Sequence, residues 1–80
     1  MAKTLRYRYP IVVVEWLDAC EHADGDGLPR HQPQLEVSVG WLLLRDRTGV
    51  SIANEYGTAD DSYRNEMFIP ARMVKSVRRL

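Results

Sequence analysis

The sequence is poor in the residues that disulfides, membrane spans and secretion signals need. Cys20 is the only cysteine, so a disulfide within one chain is excluded. No apolar run approaches the roughly 20 residues that span a bilayer. The basic start of the chain is not followed by an apolar stretch and a small-residue cleavage site, which a signal peptide requires. We therefore expect a cytoplasmic chain without a membrane partner.

The chain also lacks net charge, because 11 Lys and Arg residues balance 11 Asp and Glu residues. A neutral protein exerts no global pull on nucleic acid. The charges are unevenly distributed, however. Basic residues are concentrated in residues 3–8 and 72–79, and acidic residues in residues 18–26. If the two ends of the chain meet in the fold, they form a local basic patch.

No segment has a convincing helical period, and short apolar runs alternate with polar turns instead. The turns, rich in Gly, Pro, Asn and Asp, are residues 23–33, 45–49 and 56–65. The apolar runs are residues 8–19, 35–45, 50–56, 66–70 and 74–80. Runs of this length that are rich in β-branched and aromatic residues are typical of strands. The sequence therefore predicts an all-β protein of five strands.

The spacing of the strands favours one domain, residues 1–80, folded as a small five-stranded barrel, Sm-like or SH3-like. The OB-fold ranks lower, because it usually places a helix between its third and fourth strands and residues 56–65 are a poor helix. A domain of this size buries only about 60% of the surface of its unfolded chain. Such domains often depend on a metal, a disulfide or a partner subunit.

The second predicted strand starts with one apolar face and becomes apolar on both. One face carries Leu35, Val37, Val39, Trp41 and Leu43. The other face begins with Glu36, Ser38 and Gly40 and ends with Leu42 and Leu44. Glycine in mid-strand predicts a bend or a bulge at Gly40.

The first predicted strand is apolar on both faces from Ile11 to Leu17, except at Glu15. One face fills the barrel, and the other needs a cover from a neighbouring strand or from another subunit. The sequence leaves open which face points inward. Because an exposed apolar face marks an interaction site, we expect a homo-oligomer.

The end of the chain, FIPARMVKSVRRL, resembles the second motif of the Sm family, in which an apolar residue and Arg-Gly precede alternating apolar residues. Ile69, Val74 and Val77 match the apolar positions. Pro70 and Ala71 stand where that family has the Arg-Gly of its RNA pocket, and residues 51–57 do not match its first motif. The resemblance therefore implies the barrel and does not carry over the RNA pocket.

The wider layout is similar to small bacteriophage-encoded proteins of uncharacterised function. The similarity lies in VVVEWLDA, a Gly-rich loop, VSVGWLLL and the terminal FIPARMVKSVRRL. It implies an Sm-like or SH3-like barrel and supplies no activity and no site. Some small phage proteins of other families form oligomers that sequester nucleotide immune signals of the host, which is an analogy of size and source only.

Cys20, His22 and His31 are the residue types that bind zinc, but their spacing matches no standard site. Whether they bind a metal stays open, and a solvated loop is the alternative that we favour. Residues 24–27, DGDG, resemble the start of a calcium loop but lack its bidentate Glu. Cys20 and His22 have no orienting third group or recognisable oxyanion hole, so they make a poor nucleophile and base. We expect no enzyme activity, no metal and no cofactor.

The stretch RYRY, residues 6–9, alternates arginine with tyrosine. On a strand, the tyrosines share one face and the arginines the other. Tyrosine rings offer stacking surfaces for bases, and arginine grips phosphates with two hydrogen bonds. The structural alternative, which we rank first, is an edge strand whose tyrosines pack on the core and whose arginines keep the edge soluble.

Three further aromatic residues have two interpretations each. Trp41 is more often a core anchor, but it is also a candidate pocket wall because Gly40 leaves room next to its ring. Tyr56 and Tyr63 flank a polar loop, and they either close over a ligand or anchor the loop.

Together these observations predict a non-enzymatic oligomeric protein that binds a phosphate-bearing ligand, RNA or a small nucleotide, at a surface between subunits. In a phage setting such a ligand includes a host nucleotide signal. The expected ligand-binding residues are Arg6, Tyr7, Arg8, Trp41, Arg72, Lys75, Arg78 and Arg79. The alternative function is a protein–protein adaptor that docks on a host factor.

Overall fold

Five runs of strand-forming residues form five strands, so the predicted all-β fold is confirmed. The computed structural model describes residues 7–23 and 29–80, with the side chains of residues 7–18 and 34–80. The elements are β1 (Ile11–Ala23), β2 (Pro29–Asp46), β3 (Gly49–Gly57), β4 (Ser62–Pro70), a 3-10 turn (Ala71–Met73) and β5 (Val74–Arg79). No helix in the described part of the chain is long and apolar enough to cross a membrane.

The strands form one antiparallel sheet in the order β4-β3-β2-β1-β5. The first four strands follow one another as a meander, and β5 returns to pair with β1. The sheet is not closed into the predicted barrel, because β4 and β5 are its two edges and do not pair with each other in the described residues. A backbone hydrogen bond of 3.0 Å from Ala71 N to Thr48 O ties the 3-10 turn to the β2–β3 turn.

The core lies on one face of the sheet, which we call the inner face. Val12, Val14, Val50, Ile52 and Ile69 form it and are between 0% and 3% exposed. Half-buried side chains surround this cluster; they are Trp16, Leu42, Met73, Val74 and Val77. Full burial of each such aliphatic side chain stabilises the fold by about 1.5–3 kcal/mol.

The register of β1 with β2 turns the polar face of β2 inward. Val14 pairs with Ser38, and cross-strand partners share a face. The Ser38 hydroxyl accepts a hydrogen bond of 3.0 Å from Trp16 Nε1 and donates one of 3.8 Å to the Met67 sulfur of β4. The sheet therefore curls so that β1 and β4 both reach Ser38. Leu35, Val37 and Val39 of β2 are left on the opposite face, which we call the outer face.

Two irregularities assist the curl. The β2–β3 register shifts between Leu42 and Leu44. This bulge begins two residues after Gly40, where the sequence predicted it. At Gly40 itself a Cβ atom would lie 2.5 Å from the carbonyl oxygen of Ala53, so glycine permits the close approach of β3. A second shift leaves Lys75 as the extra residue of β5.

The β1–β2 hairpin extends beyond the rest of the sheet. Pairing continues to Ala23 and Pro29, whereas β5 stops pairing with β1 at Trp16. The prediction of an irregular loop over residues 23–33 was therefore wrong for residues 29–33. Residues 29–33, PRHQP, contain two prolines and no β-branched or aromatic residue, and these are the features that mark a loop in a sequence.

Two more predicted boundaries were wrong. β4 begins at Ser62 rather than at Glu66, so the polar loop shrinks to the turn of residues 58–61. Residues 7–10 lie outside the strands, and β1 begins only after Pro10. Proline lacks a backbone N–H, so the strand that was predicted to include RYRY starts after it.

Candidate functional site

Five rings form a cluster between the N-terminal segment and the β3–β4 hairpin. We call this set the aromatic cluster; its members are Tyr7, Tyr9, Trp41, Tyr56 and Tyr63. The Tyr7 ring centroid lies 5.3 Å from that of Trp41 and 5.3 Å from that of Tyr56. The Tyr9 ring lies 5.0 Å from Tyr63 in an edge-on arrangement. Tilted and edge-on contacts at these distances are the favoured geometries of aromatic pairs.

Asp61 is the polar partner of the aromatic cluster. Its carboxylate accepts a hydrogen bond of 2.5 Å from the Tyr56 hydroxyl and a charged one of 3.1 Å from Arg8 Nη2. Arg8 also donates its backbone N–H to the Tyr63 hydroxyl at 3.1 Å. Asp61 lies in the β3–β4 turn with a left-handed φ of 54°, a conformation that aspartate tolerates better than most residues.

The charge of Asp61 changes the proton affinity of both partners. The hydrogen bond to Asp61, with some burial, raises the pKa of Tyr56 to about 12, because losing the proton would place two negative charges side by side. The same carboxylate raises the pKa of Arg8. Both phenol and guanidinium therefore keep their protons at any physiological pH.

A second polar network braces the β3–β4 hairpin. Arg64 lies 3.5 Å from Glu55 and 3.7 Å from Asp60, and its Nε donates to the Ser62 hydroxyl at 3.0 Å. Ser62 in turn donates to Asp60 at 2.7 Å, and this hydrogen bond, together with Arg64, lowers the pKa of Asp60. The turn that carries Asp61 is thus fixed from both sides.

The outer face of the sheet exposes large apolar side chains. Leu35 is 54% exposed, Val37 58% and Val39 49%, and we call these three residues the apolar row. Leu44 and Phe68, at the other end of the outer face, are 56% and 54% exposed. Exposed apolar side chains that lie side by side on one face are candidates for a contact surface.

The apolar row leads into a shallow pocket of about 210 Å³ beside the Trp41 ring. Ile11, Val39, Gly40, Trp41 and Asn54 line it. Trp41 therefore forms a wall of this pocket, as the sequence analysis suggested. The space next to Gly40, which was expected to be free, is occupied by the Ala53 carbonyl. The buried Trp41 Nε1 has no hydrogen-bond partner among the described residues.

The structure separates the expected ligand-binding residues into groups. Tyr7, Arg8 and Trp41 meet in the aromatic cluster. On the other edge, Arg72 lies in the 3-10 turn and Lys75 in the β5 bulge. Arg78 pairs with Val13 and Arg79 with Val12, so the two arginines point to opposite faces. Leu80 N donates a hydrogen bond of 2.9 Å to Ile11 O, so the C-terminal end lies beside the start of β1. Lys3 and Arg6 lie outside the described residues, and the basic patch stays a prediction.

The side chains of the candidate zinc ligands, which are Cys20, His22 and His31, lie outside the described residues. Within residues 7–18 and 34–80, no group of three or more His, Cys, Asp or Glu side chains is close enough to hold a metal ion.

Sequence reasoning missed Asp61 as the partner of Arg8 and missed the apolar row as a surface. Asp61 lies in a polar loop, and nothing in the sequence shows that residues 7–9 cross to this part of the chain. The alternation of β2 did identify the apolar row as one face, but it could not say that this face points outward.

Comparison with the models of known protein families, with curated proteins and with solved structures finds no match to this chain. The resemblance to small phage proteins therefore stays a prediction.

Proposed function

We propose that this protein is a non-enzymatic binding protein that works as a homo-oligomer, with copies joined through the outer face of the sheet. The observation that carries the proposal is the apolar row, whose three side chains are each about half exposed on one face of β2. Because the three residues alternate along a strand, they present a continuous apolar strip. Burying such a strip against another protein removes it from water.

The projecting hairpin supports an oligomer independently. In seven residue pairs of β1 and β2, from Leu17–Leu35 to Ala23–Pro29, neither residue pairs with a third strand. This arm is about 20 Å long, and an isolated two-stranded ribbon is marginally stable in water. Packing against another copy would supply the third layer that the arm lacks.

A second copy fits the outer face better than a charged partner does. The apolar row contains no charged side chain, which is typical of the core of homodimer interfaces. The net charge of zero means that two copies do not repel each other over long range. A different protein with an apolar strip is the adaptor alternative.

Sedimentation equilibrium of the wild type and of Val37→Lys tests the proposal. We expect the wild type to sediment as a dimer or larger at micromolar concentration, and Val37→Lys to shift toward the monomer by at least tenfold in dissociation constant. Thr58→Lys, which adds the same charge to an exposed turn, is the matched control and should leave the association unchanged. A monomeric wild type would contradict the proposal.

A second candidate function is the binding of a phosphate-bearing ligand, RNA or a small nucleotide, along β5. Four basic residues support it, because they are exposed within eight positions and make no ion pair in the described part of the chain; they are Arg72, Lys75, Arg78 and Arg79. Phosphate contacts weaken steeply with salt. Titration with labelled single-stranded RNA at two salt concentrations tests this candidate, and unchanged affinity in Arg78→Glu with Arg79→Glu would contradict it.

A further inference from the structure

The segment Tyr7–Tyr9 lies on the rest of the molecule in the manner of a bound peptide. The segment belongs to no strand. Directly after it, Pro10 O accepts a backbone hydrogen bond of 2.8 Å from Leu42 N. The described contacts of residues 7–9 use two rings, one guanidinium and one backbone N–H. The attachment of the segment is therefore made almost wholly by side chains.

The surface beneath the segment is held in place by other parts of the chain. Tyr56 and Tyr63 are cross-strand partners of β3 and β4, with ring centroids 4.9 Å apart. Trp41 of β2 lies 6.0 Å from Tyr56 and 5.7 Å from Tyr63. Asp61 is fixed by the Tyr56 hydroxyl. None of these contacts uses residues 7–9, so the surface has support that is independent of the segment.

The segment and the surface are chemically complementary. The Tyr7 ring is equally distant from Trp41 and Tyr56, and the Tyr9 ring meets the edge of Tyr63. Between the two rings, the Arg8 guanidinium pairs with the Asp61 carboxylate and lies 5.7 Å from the Tyr9 ring centroid. Aromatic contacts supply apolar area, and the carboxylate selects a cation at the central position.

We propose that Trp41, Tyr56, Tyr63 and Asp61 form a binding site for a short peptide with an arginine between two tyrosines, and that the chain's own Tyr7–Tyr9 segment is the resident ligand. The ion pair at its centre is exposed on both sides, 62% for Arg8 and 59% for Asp61, so it holds the segment weakly. Covalent attachment compensates, because a short tether gives an effective concentration in the millimolar range. The site shares no residue with the apolar row, but Trp41 follows Val39 on the same face of β2 and both line one pocket, so the two surfaces adjoin each other.

The test uses a full-length variant that keeps the site and loses the resident ligand, Tyr7→Ser with Arg8→Ser and Tyr9→Ser. A fluorescein-labelled peptide of residues 5–10, LRYRYP, is titrated against it, and binding is read by fluorescence anisotropy. We expect saturable binding to the variant and at least tenfold weaker binding to the wild type, whose site is already occupied. A peptide with glutamate in place of its central arginine, and a variant that also carries Asp61→Asn, should each bind at least threefold more weakly.

Absence of saturable binding to the folded variant would overturn the proposal, and so would equal affinity for variant and wild type. If the triple substitution prevents folding, Tyr7→Ser with Arg8→Ser gives the decision, because it removes the ion pair and the ring that contacts Trp41 and keeps the Tyr9–Tyr63 contact. In that variant, added LRYRYP should move the indole N–H resonance of Trp41 and leave that of Trp16 in place. No movement at Trp41 would reject the site.

Discussion

Tyr56 donates a hydrogen bond of 2.5 Å to Asp61, and through this contact the end of β3 holds the turn that receives the N-terminal segment. Asp61 accepts from Arg8 with its other oxygen. One carboxylate thus joins three parts of the chain that are far apart in sequence. A phenol proton and a guanidinium charge are both needed for this arrangement, so its strength depends on pH at the alkaline end.

Alkaline pH should weaken the protein through Tyr56. Its pKa is raised to about 12 in the folded protein, whereas an unfolded tyrosine titrates near 10. The contribution of Tyr56 to stability is therefore fully present below pH 10 and is lost as the pH rises toward 12. Urea unfolding at pH 9 and pH 11 measures this loss, and it should be smaller in Tyr56→Phe. An equal loss in both proteins would contradict the assignment.

Gly40→Ala should destabilise the fold by about 1–3 kcal/mol, as overpacking in a well-packed core does. The new Cβ would lie 2.5 Å from the Ala53 carbonyl oxygen, and backbone cannot move aside cheaply. Gly57→Ala is the comparison, because the atoms nearest its new Cβ are the ends of the exposed Arg64 and Asp60 side chains, which can move aside at the cost of their weak surface pair. Thermal unfolding should separate the two variants. Equal melting temperatures would show that β3 does not approach Gly40 as described.

Ser38→Ala should reduce the free energy of unfolding by about 1–3 kcal/mol, because it leaves the Trp16 indole N–H without a partner in a half-buried site. Chemical denaturation followed by tryptophan fluorescence measures the change. Ser38→Thr keeps a hydroxyl and should recover part of the loss. If Ser38→Ala is as stable as the wild type, Ser38 does not organise the inner face.

Acid should remove the support that Asp46 gives to the β2–β3 turn. Hydrogen bonds from the Thr48 hydroxyl and backbone N–H, at 2.5 Å and 2.8 Å, lower the pKa of Asp46. A carboxyl with a lowered pKa contributes stability above its unfolded value near pH 4 and loses it as the pH falls through the folded value. Asp46→Asn should therefore be less stable than the wild type at pH 7 and closer to it at pH 2. A constant difference across this range would argue against the hydrogen bonds.

The strands were predictable because β-branched residues and turn residues alternate clearly along the chain. Val12 to Val14, Val50 and Ile52 form strands where the sequence predicts them. The limits of the strands were less predictable wherever the apolar signal fades. Residues 29–33 pair with β1, although they have no alternation of apolar and polar residues.

The candidate site was predictable only in part. Tyr7, Arg8 and Trp41 were singled out, and they do meet, but their role as partners of Tyr56, Tyr63 and Asp61 depends on tertiary contacts. Which face of β2 is buried depends on the register with β1. Since β1 is apolar on both faces, either register would bury valines. In the register that forms, Ser38 contacts Trp16 and Met67.

Native mass spectrometry of the wild-type protein, freshly purified from cells, is the measurement that decides whether copies of the chain join through the outer face. It reports the number of subunits and any retained ligand in one spectrum, with the ultraviolet absorbance ratio recorded alongside. We expect a dimer or larger assembly for the wild type and for Thr58→Lys, and a larger fraction of monomer for Val37→Lys. Retained nucleotide mass would add support for a phosphate-bearing ligand. A wild-type monomer without added mass would contradict the proposal that copies join through the outer face.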